Sequence, residues 1–108
     1  MQNQASHESQ PQFFVARLHR NKIETYERIH ANITKAHTEA LRCHFLQLDI
    51  FRLDDILVMV KRARPGPDPE ESDAVKDERQ RWRIAVGECF AEFWRPAEQS
   101  FDLNALFR

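Results

Sequence analysis

The sequence predicts an α+β fold in which the elements follow the order βαββαβ and helices cover one face of a single antiparallel sheet. Strand-like apolar segments occur near both ends of the chain and as a pair in its middle. Two longer segments between them carry apolar residues at helical spacing. The chain has 108 residues, the usual size of one compact domain. We therefore predict one domain over residues 12–108, preceded by a flexible polar tail over residues 1–11.

Composition and charge narrow the possible classes of function. Hydrophobic residues make up 42% of the chain and charged residues 31%, as is typical of globular proteins. The 16 basic and 17 acidic residues give a net charge of −1, so we expect no nucleic-acid partner. No apolar run approaches the roughly 20 residues that a membrane span requires, and the polar first residues lack the features of a secretory signal. We therefore expect a cytoplasmic protein in which Cys43 and Cys89 are reduced thiols.

The first strand and the first helix are predicted from the N-terminal part of the chain. Residues 13–19 (FFVARLH) carry apolar side chains on both faces, which favours a strand covered on both sides. Asn21 can cap a following helix, and Glu24 stands three residues later, as in a capping box. No proline or glycine occurs between Asn21 and Cys43, so we predict one helix over residues 22–43.

Two antiparallel strands follow. Residues 44–62 are strand-like, and Asp54-Asp55 is a plausible turn between the two strands, although it lacks the glycine of the best hairpin signals. Residues 64–73 hold three prolines and one glycine, which indicates a loop.

The last two elements are a helix and a strand. Ser72 or Asp73 can cap the helix, which is predicted to reach about Trp94. Gly87 costs about 1 kcal/mol relative to alanine, so the helix weakens or breaks there. Residues 100–107 (SFDLNALF) alternate apolar and polar side chains as a final strand would.

This order is the split βαβ arrangement of ferredoxin-like folds. Its helices lie on one face of the sheet, so the other face needs a cover. At this chain length the simplest cover is a second copy of the sheet. We therefore expect a homodimer with the sheets face to face, forming a dimeric α/β barrel.

A phenol and an imidazole stand in the apolar stripe of the first predicted helix. At 100° per residue, Tyr26 and His30 fall in the sector of Ile29 and Ile33, and as an i, i+4 pair they are neighbours. A histidine can donate or accept a proton near neutral pH, and a tyrosine hydroxyl can hold a sugar hydroxyl. The spacing alone is equally compatible with a buried pair, each hydrogen-bonded to backbone.

Three histidines follow one another on this helix face at seven-residue intervals, His30, His37 and His44. Seven helical residues rise about 10.5 Å, which is too far for neighbours to share one ion at about 2.0–2.1 Å. We therefore predict no metal site.

A second cluster is Gln80-Arg81-Trp82-Arg83. Trp82 either packs in the core or forms a wall for the apolar face of a sugar, with an arginine donating hydrogen bonds. The sequence pattern leaves both interpretations open.

These features together resemble the L-rhamnose mutarotase family. FVARLH (14–19) and KIETYERIH (22–30) match the family's strand and its helix with Y-x-x-x-H, and QRWR (80–83) resembles Q-R-W-W. The segment 105–107 resembles the family's terminal strand. The resemblance implies that Tyr26 contacts substrate, that His30 is the proton donor, and that Trp82 stacks on the sugar. It implies an isomerase that interconverts the α and β anomers of a 6-deoxyhexose such as L-rhamnose or L-fucose, without a cofactor.

The sequence also departs from the family pattern. The family's second tryptophan is Arg83 here, and its proline and Trp-Pro pair after the histidine are replaced by residues 31–35 (ANITK). The family's tyrosine on the second strand falls on Leu48 or Asp49. We expect Arg81 or Arg83 to bind sugar hydroxyls and Asp49 to replace that tyrosine as an acceptor.

Two further interpretations remain open at the level of the sequence. One is another cofactor-free enzyme on the same dimeric barrel, such as a monooxygenase or a lyase. The other is a non-catalytic sugar-binding module, which predicts that His30 and Tyr26 are completely buried, with backbone partners and no adjoining cavity.

Overall fold

A computed structural model describes residues 10–107, so most of the tail predicted over residues 1–11 lies outside the described residues. Four strands form one antiparallel sheet in the order β2-β3-β1-β4. The strands are β1 (Gln12–Leu18), β2 (Phe45–Leu53), β3 (Ile56–Ala63) and β4 (Phe90–Pro96). The helices are α1 (Ile23–Ala31), α2 (Lys35–His44) and α3 (Asp73–Gly87), and 3-10 turns occupy Arg20–Lys22 and Asn104–Phe107. The α+β class and the ferredoxin-like order are confirmed.

The helix predicted over residues 22–43 is wrong as a single element, because it is divided into α1 and α2. The side-chain amide of Asn32 donates to the Arg28 carbonyl at 2.8 Å and ends α1. Thr34 then has extended backbone, and its hydroxyl accepts from the His37 amide at 3.1 Å as the N-cap of α2. Short polar side chains that hydrogen-bond to nearby backbone groups can end a helix even where no proline or glycine occurs.

The prediction that the last helix reaches Trp94 and that residues 100–107 form the final strand is also wrong. α3 ends at Gly87, the predicted weak point, and the fourth strand is β4. The His19 amide donates to the Cys89 carbonyl at 2.9 Å, and Leu18 pairs with Phe90. Residues 90–96 therefore form a strand through hydrogen bonds with β1, although their apolar side chains follow helical spacing.

The core lies between the helices and one face of the sheet, which we call the inner face. Ala16, Leu18 and Leu57 are buried there from the central strands. Because Arg52 pairs with Leu57 across β2 and β3, and side chains alternate along a strand, Ile50 and Arg52 also point to the inner face. This register brings the middle of β2 beneath α1.

The opposite face, here called the outer face, has no helix on it in the described part of the chain. It carries apolar side chains that are 36–71% exposed, namely Phe13, Val15, Phe51 and Leu53. The turn between β2 and β3 is at Asp54-Asp55 as predicted, with Asp54 at φ 55°. Within residues 10–107, the helices are all too short or too polar to cross a membrane.

Candidate active site

The rings of Tyr26 and His30 contact each other on the side of α1 that faces the sheet. Their ring centroids are 4.2 Å apart and the planes are inclined by 39°. Tyr26 is 4% exposed, and its ring meets Phe90 edge-on at 6.0 Å. His30 is half-buried. The helical turn between them therefore yields one buried phenol beneath one accessible imidazole.

The hydrogen bonding of His30 decides which ring nitrogen is available. Nδ1 lies 3.0 Å from the Tyr26 carbonyl oxygen. A carbonyl can only accept, so Nδ1 carries the proton and donates it. In the neutral ring, Nε2 therefore keeps its lone pair and can accept a proton.

His30 opens onto a cavity between α1 and β2. The cavity has a volume of about 420 Å³ and is open to solvent. It is lined by Tyr26, Glu27, His30, Ala31, Ile50, Arg52 and Leu57. A completely buried pair with no adjoining cavity, as the non-catalytic alternative predicts, is not what the structure contains.

Burial controls the protonation of both rings. Desolvation lowers the pKa of His30, while the hydrogen bond to the Tyr26 backbone and the charge of Glu27 oppose this effect. Desolvation raises the pKa of the Tyr26 hydroxyl. At neutral pH the site therefore holds a neutral imidazole and a protonated phenol. The Tyr26 hydroxyl has no hydrogen-bond partner among the described residues.

Trp82 of α3 stands behind His30. Its ring meets His30 edge-on at 4.8 Å and His37 edge-on at 5.2 Å, with interplanar angles of 70° and 85°. The indole Nε1 and the His37 Nδ1 are buried, and neither finds a partner within residues 10–107. Trp82 thus packs against His30 from the core side, and it is not among the residues that line the cavity.

The other predicted site residues lie away from the cavity. Arg81 and Arg83 are exposed on α3, on either side of Trp82. Asp49 is exposed, and its carboxylate accepts from the side-chain amide of Gln47 at 2.8 Å. Since its neighbour Ile50 lines the cavity, Asp49 points to the outer face. The structure brings Tyr26, His30 and Trp82 together, and it does not bring these three polar side chains to them.

Two charged residues at the cavity were not predicted from the sequence, Glu27 and Arg52. Arg52 Nε donates to Glu27 Oε2 at 2.9 Å across the gap between β2 and α1. Strand alternation from Ile50 would have placed Arg52 on the same face, but the register of β2 against α1 is a tertiary property. Among the described residues, no group of three His, Cys, Asp or Glu side chains could hold a metal ion.

Comparison with known families identifies the chain. A family model for L-rhamnose mutarotase matches residues 12–108. The chain belongs to the L-rhamnose mutarotase family. No curated protein matches it at a significant level.

Solved structures of similar fold include one from this family. An L-rhamnose mutarotase from Formosa agariphila is 15% identical, with a TM-score of 0.62, 88% of this chain covered and 99% of that one. A protein from Nitrosomonas europaea assigned as an antibiotic biosynthesis monooxygenase is 16% identical, with a TM-score of 0.59 and coverages of 90% and 91%. A protein of the same assignment from Bordetella bronchiseptica is 19% identical, with a TM-score of 0.55 and coverages of 84% and 95%. At these identities the likeness shows the fold alone, and membership in the mutarotase family rests on the family model.

Proposed function

We propose that this member of the L-rhamnose mutarotase family interconverts the α and β anomers of a 6-deoxyhexose, such as L-rhamnose or L-fucose, by acid–base catalysis at His30. The observation that carries the proposal is the free Nε2 of His30 at a solvent-open cavity. An imidazole that is neutral at pH 7 and within reach of a ligand is suited to proton transfer.

Mutarotation requires two proton transfers and no redox change. The anomeric hydroxyl loses a proton to Nε2 of His30 as the bond between C1 and the ring oxygen breaks. The former ring oxygen of the sugar gains a proton from the imidazolium of His30, which restores the neutral imidazole. The open aldehyde turns about its C1–C2 bond and closes on the other face by the reverse steps. One positioned acid–base group contributes typically 10²–10⁴-fold.

Tyr26 and Trp82 support this group. The phenol of Tyr26 stays protonated because burial raises its pKa, so it serves as a hydrogen-bond donor to substrate once the pocket admits the sugar. Trp82 keeps the imidazole in place through its edge contact. In this proposal Trp82 is a positioning residue, and the apolar wall for the sugar is Ile50, which is 37% exposed in the cavity lining.

We also propose that the chain forms a homodimer through its outer face. Exposed apolar side chains of β1 and β2 cluster on that face, and a concavity of about 810 Å³ adjoins it beside residues 96–101. Contiguous apolar surface of this kind is typical of an interface. We propose a cytoplasmic location as well. The two cysteines are free thiols, one exposed and one buried, as is usual in the reducing cytosol.

The proposed activity is tested by saturation-transfer NMR on L-rhamnose and L-fucose. The signal of one anomeric proton is saturated, and the loss of intensity in the signal of the other anomer measures the exchange rate. We expect the protein to accelerate exchange of at least one of these sugars well above the rate in buffer. A protein that accelerates neither, but consumes oxygen with a planar phenol, would instead favour a monooxygenase.

A further inference from the structure

The ion pair between Glu27 and Arg52 is the polar element of the cavity that the proposed mechanism does not use. Both residues line the cavity beside Tyr26 and His30. The side chain of Arg52 is 33% exposed and that of Glu27 is 55% exposed. The pair therefore faces the solvent-open part of the site.

Arg52 is held in one orientation from two sides. Its Nε donates to Glu27 at 2.9 Å, and its Nη1 donates to the Asp54 carbonyl at 2.7 Å. A guanidinium has five N–H donors in a rigid fork, so three remain after these two bonds. A donor group fixed in advance binds a ligand at a smaller entropic cost.

We infer that Arg52 and Glu27 both bind the sugar and that Glu27 also orients Arg52, so that the pair selects which neutral monosaccharide the site accepts. The inference rests on the proposed function. The remaining N–H groups of Arg52 donate to sugar hydroxyls, and the carboxylate of Glu27 accepts from an adjacent one. A vicinal pair of hydroxyls offers this combination of acceptor and donor.

The charge balance of the pair favours a neutral ligand. Glu27 compensates the charge of Arg52 at hydrogen-bond distance, so an anionic sugar acid gains no net electrostatic attraction from the pair. Asp49 lies on the same strand as Arg52, but its side chain points to the outer face and away from the cavity. The ion pair therefore supplies polar groups to the cavity that Asp49 does not. Arg52 thus supplies the hydrogen-bond donor that was expected from Arg81 or Arg83, and Glu27 supplies the acceptor that was expected from Asp49.

The inference is tested by steady-state anomer exchange with the better of L-rhamnose and L-fucose. Arg52→Met is expected to raise KM about ten- to hundredfold, as expected for lost hydrogen bonds from a charged donor, with kcat changed less than threefold. Arg52→Lys keeps the charge without the fork and is expected to raise KM by less. The matched control is Arg28→Met, since Arg28 forms an exposed ion pair with Glu24 on the same helix outside the cavity.

Glu27→Gln provides a second readout that a merely structural role would not change. The charge of Glu27 raises the pKa of His30, so its removal is expected to shift the acid limb of the pH–rate profile to lower pH. KM is expected to rise as well, because Arg52 loses its charged partner. Glu24→Gln is the control and is expected to change neither quantity.

The outcomes separate this inference from the proposed function. If the wild type accelerates exchange and both Arg52 variants keep its KM, the inference is overturned and the proposed function stands. Faster exchange of D-galacturonate than of either neutral sugar would also overturn the inference. If the wild type accelerates no sugar, the proposed function fails and the inference fails with it.

Discussion

At the scale of single residues, the neighbouring positions of Tyr26 and His30 follow from helical spacing, and their different environments do not. The spacing predicted two neighbouring side chains, and the ring centroids are 4.2 Å apart. Only the fold shows that the phenol is 4% exposed while the imidazole opens onto the cavity. Arg52 is absent from the predicted site because its approach to Glu27 depends on how β2 meets α1 across 25 residues of sequence.

The pH dependence of exchange follows from the protonation of His30. Burial lowers its pKa from the ordinary value of 6.5, and the neutral form is the one that accepts the proton. We therefore expect kcat/KM to fall on acidification, with a midpoint below pH 6.5. A rate profile measured between pH 4.5 and 8 checks this. A midpoint above 6.5, or a rate that rises on acidification, would contradict the assignment of His30 as the base.

At the scale of elements, the boundaries marked by residue type were predictable, and those set by hydrogen bonding were not. The turn at Asp54-Asp55 and the weak point at Gly87 were expected from residue type, and both are present. The break at Asn32–Thr34 was missed because neither proline nor glycine marks it, and two side-chain hydrogen bonds produce it. The fourth strand was misplaced because pairing with β1 overrides the helical spacing of its apolar residues.

Thr34 is expected to contribute measurably to the separation of α1 from α2. Its hydroxyl accepts from the His37 amide and donates to the Glu78 carboxylate of α3. Thr34→Ala removes both bonds, so the free energy of unfolding should fall by about 1–2 kcal/mol. Urea denaturation measures the change.

Thr38→Ala is the matched control for this variant. Within residues 10–107 the Thr38 hydroxyl bonds only to the carbonyl of Thr34, one turn before it, and alanine is the better helix former. Its effect should stay within about 0.5 kcal/mol. An equal loss of stability in the two variants would show that the cap of α2 is unimportant.

At the scale of the whole molecule, the chain is flat. Its principal extents are 46 × 35 × 17 Å and its radius of gyration is 16.3 Å, compared with about 13 Å for a compact chain of this length. The short dimension accommodates one sheet and one layer of helices, which leaves the outer face uncovered. The flat shape supports the proposed homodimer in addition to the apolar outer face and its adjoining concavity.

The homodimer is tested by a charge on the outer face. Phe51 is 60% exposed on β2, and Phe51→Lys would place an ammonium group in the proposed interface. We expect the wild type to have twice the mass of the 12.8 kDa chain in light scattering after size exclusion, and the variant to be a monomer. The control Ile84→Lys changes a residue that is 57% exposed on α3 and should remain dimeric. A monomeric wild type would contradict the proposal.

The central claim is that His30 transfers the proton in anomer exchange, and variants of this residue test it most directly. Exchange is measured by saturation-transfer NMR for the wild type, His30→Ala, His30→Gln and the exposed control His19→Ala. We expect both His30 variants to lose about a hundredfold or more of the acceleration while remaining folded by circular dichroism, and His19→Ala to match the wild type. Folded His30 variants that exchange the anomers as fast as the wild type would contradict the account.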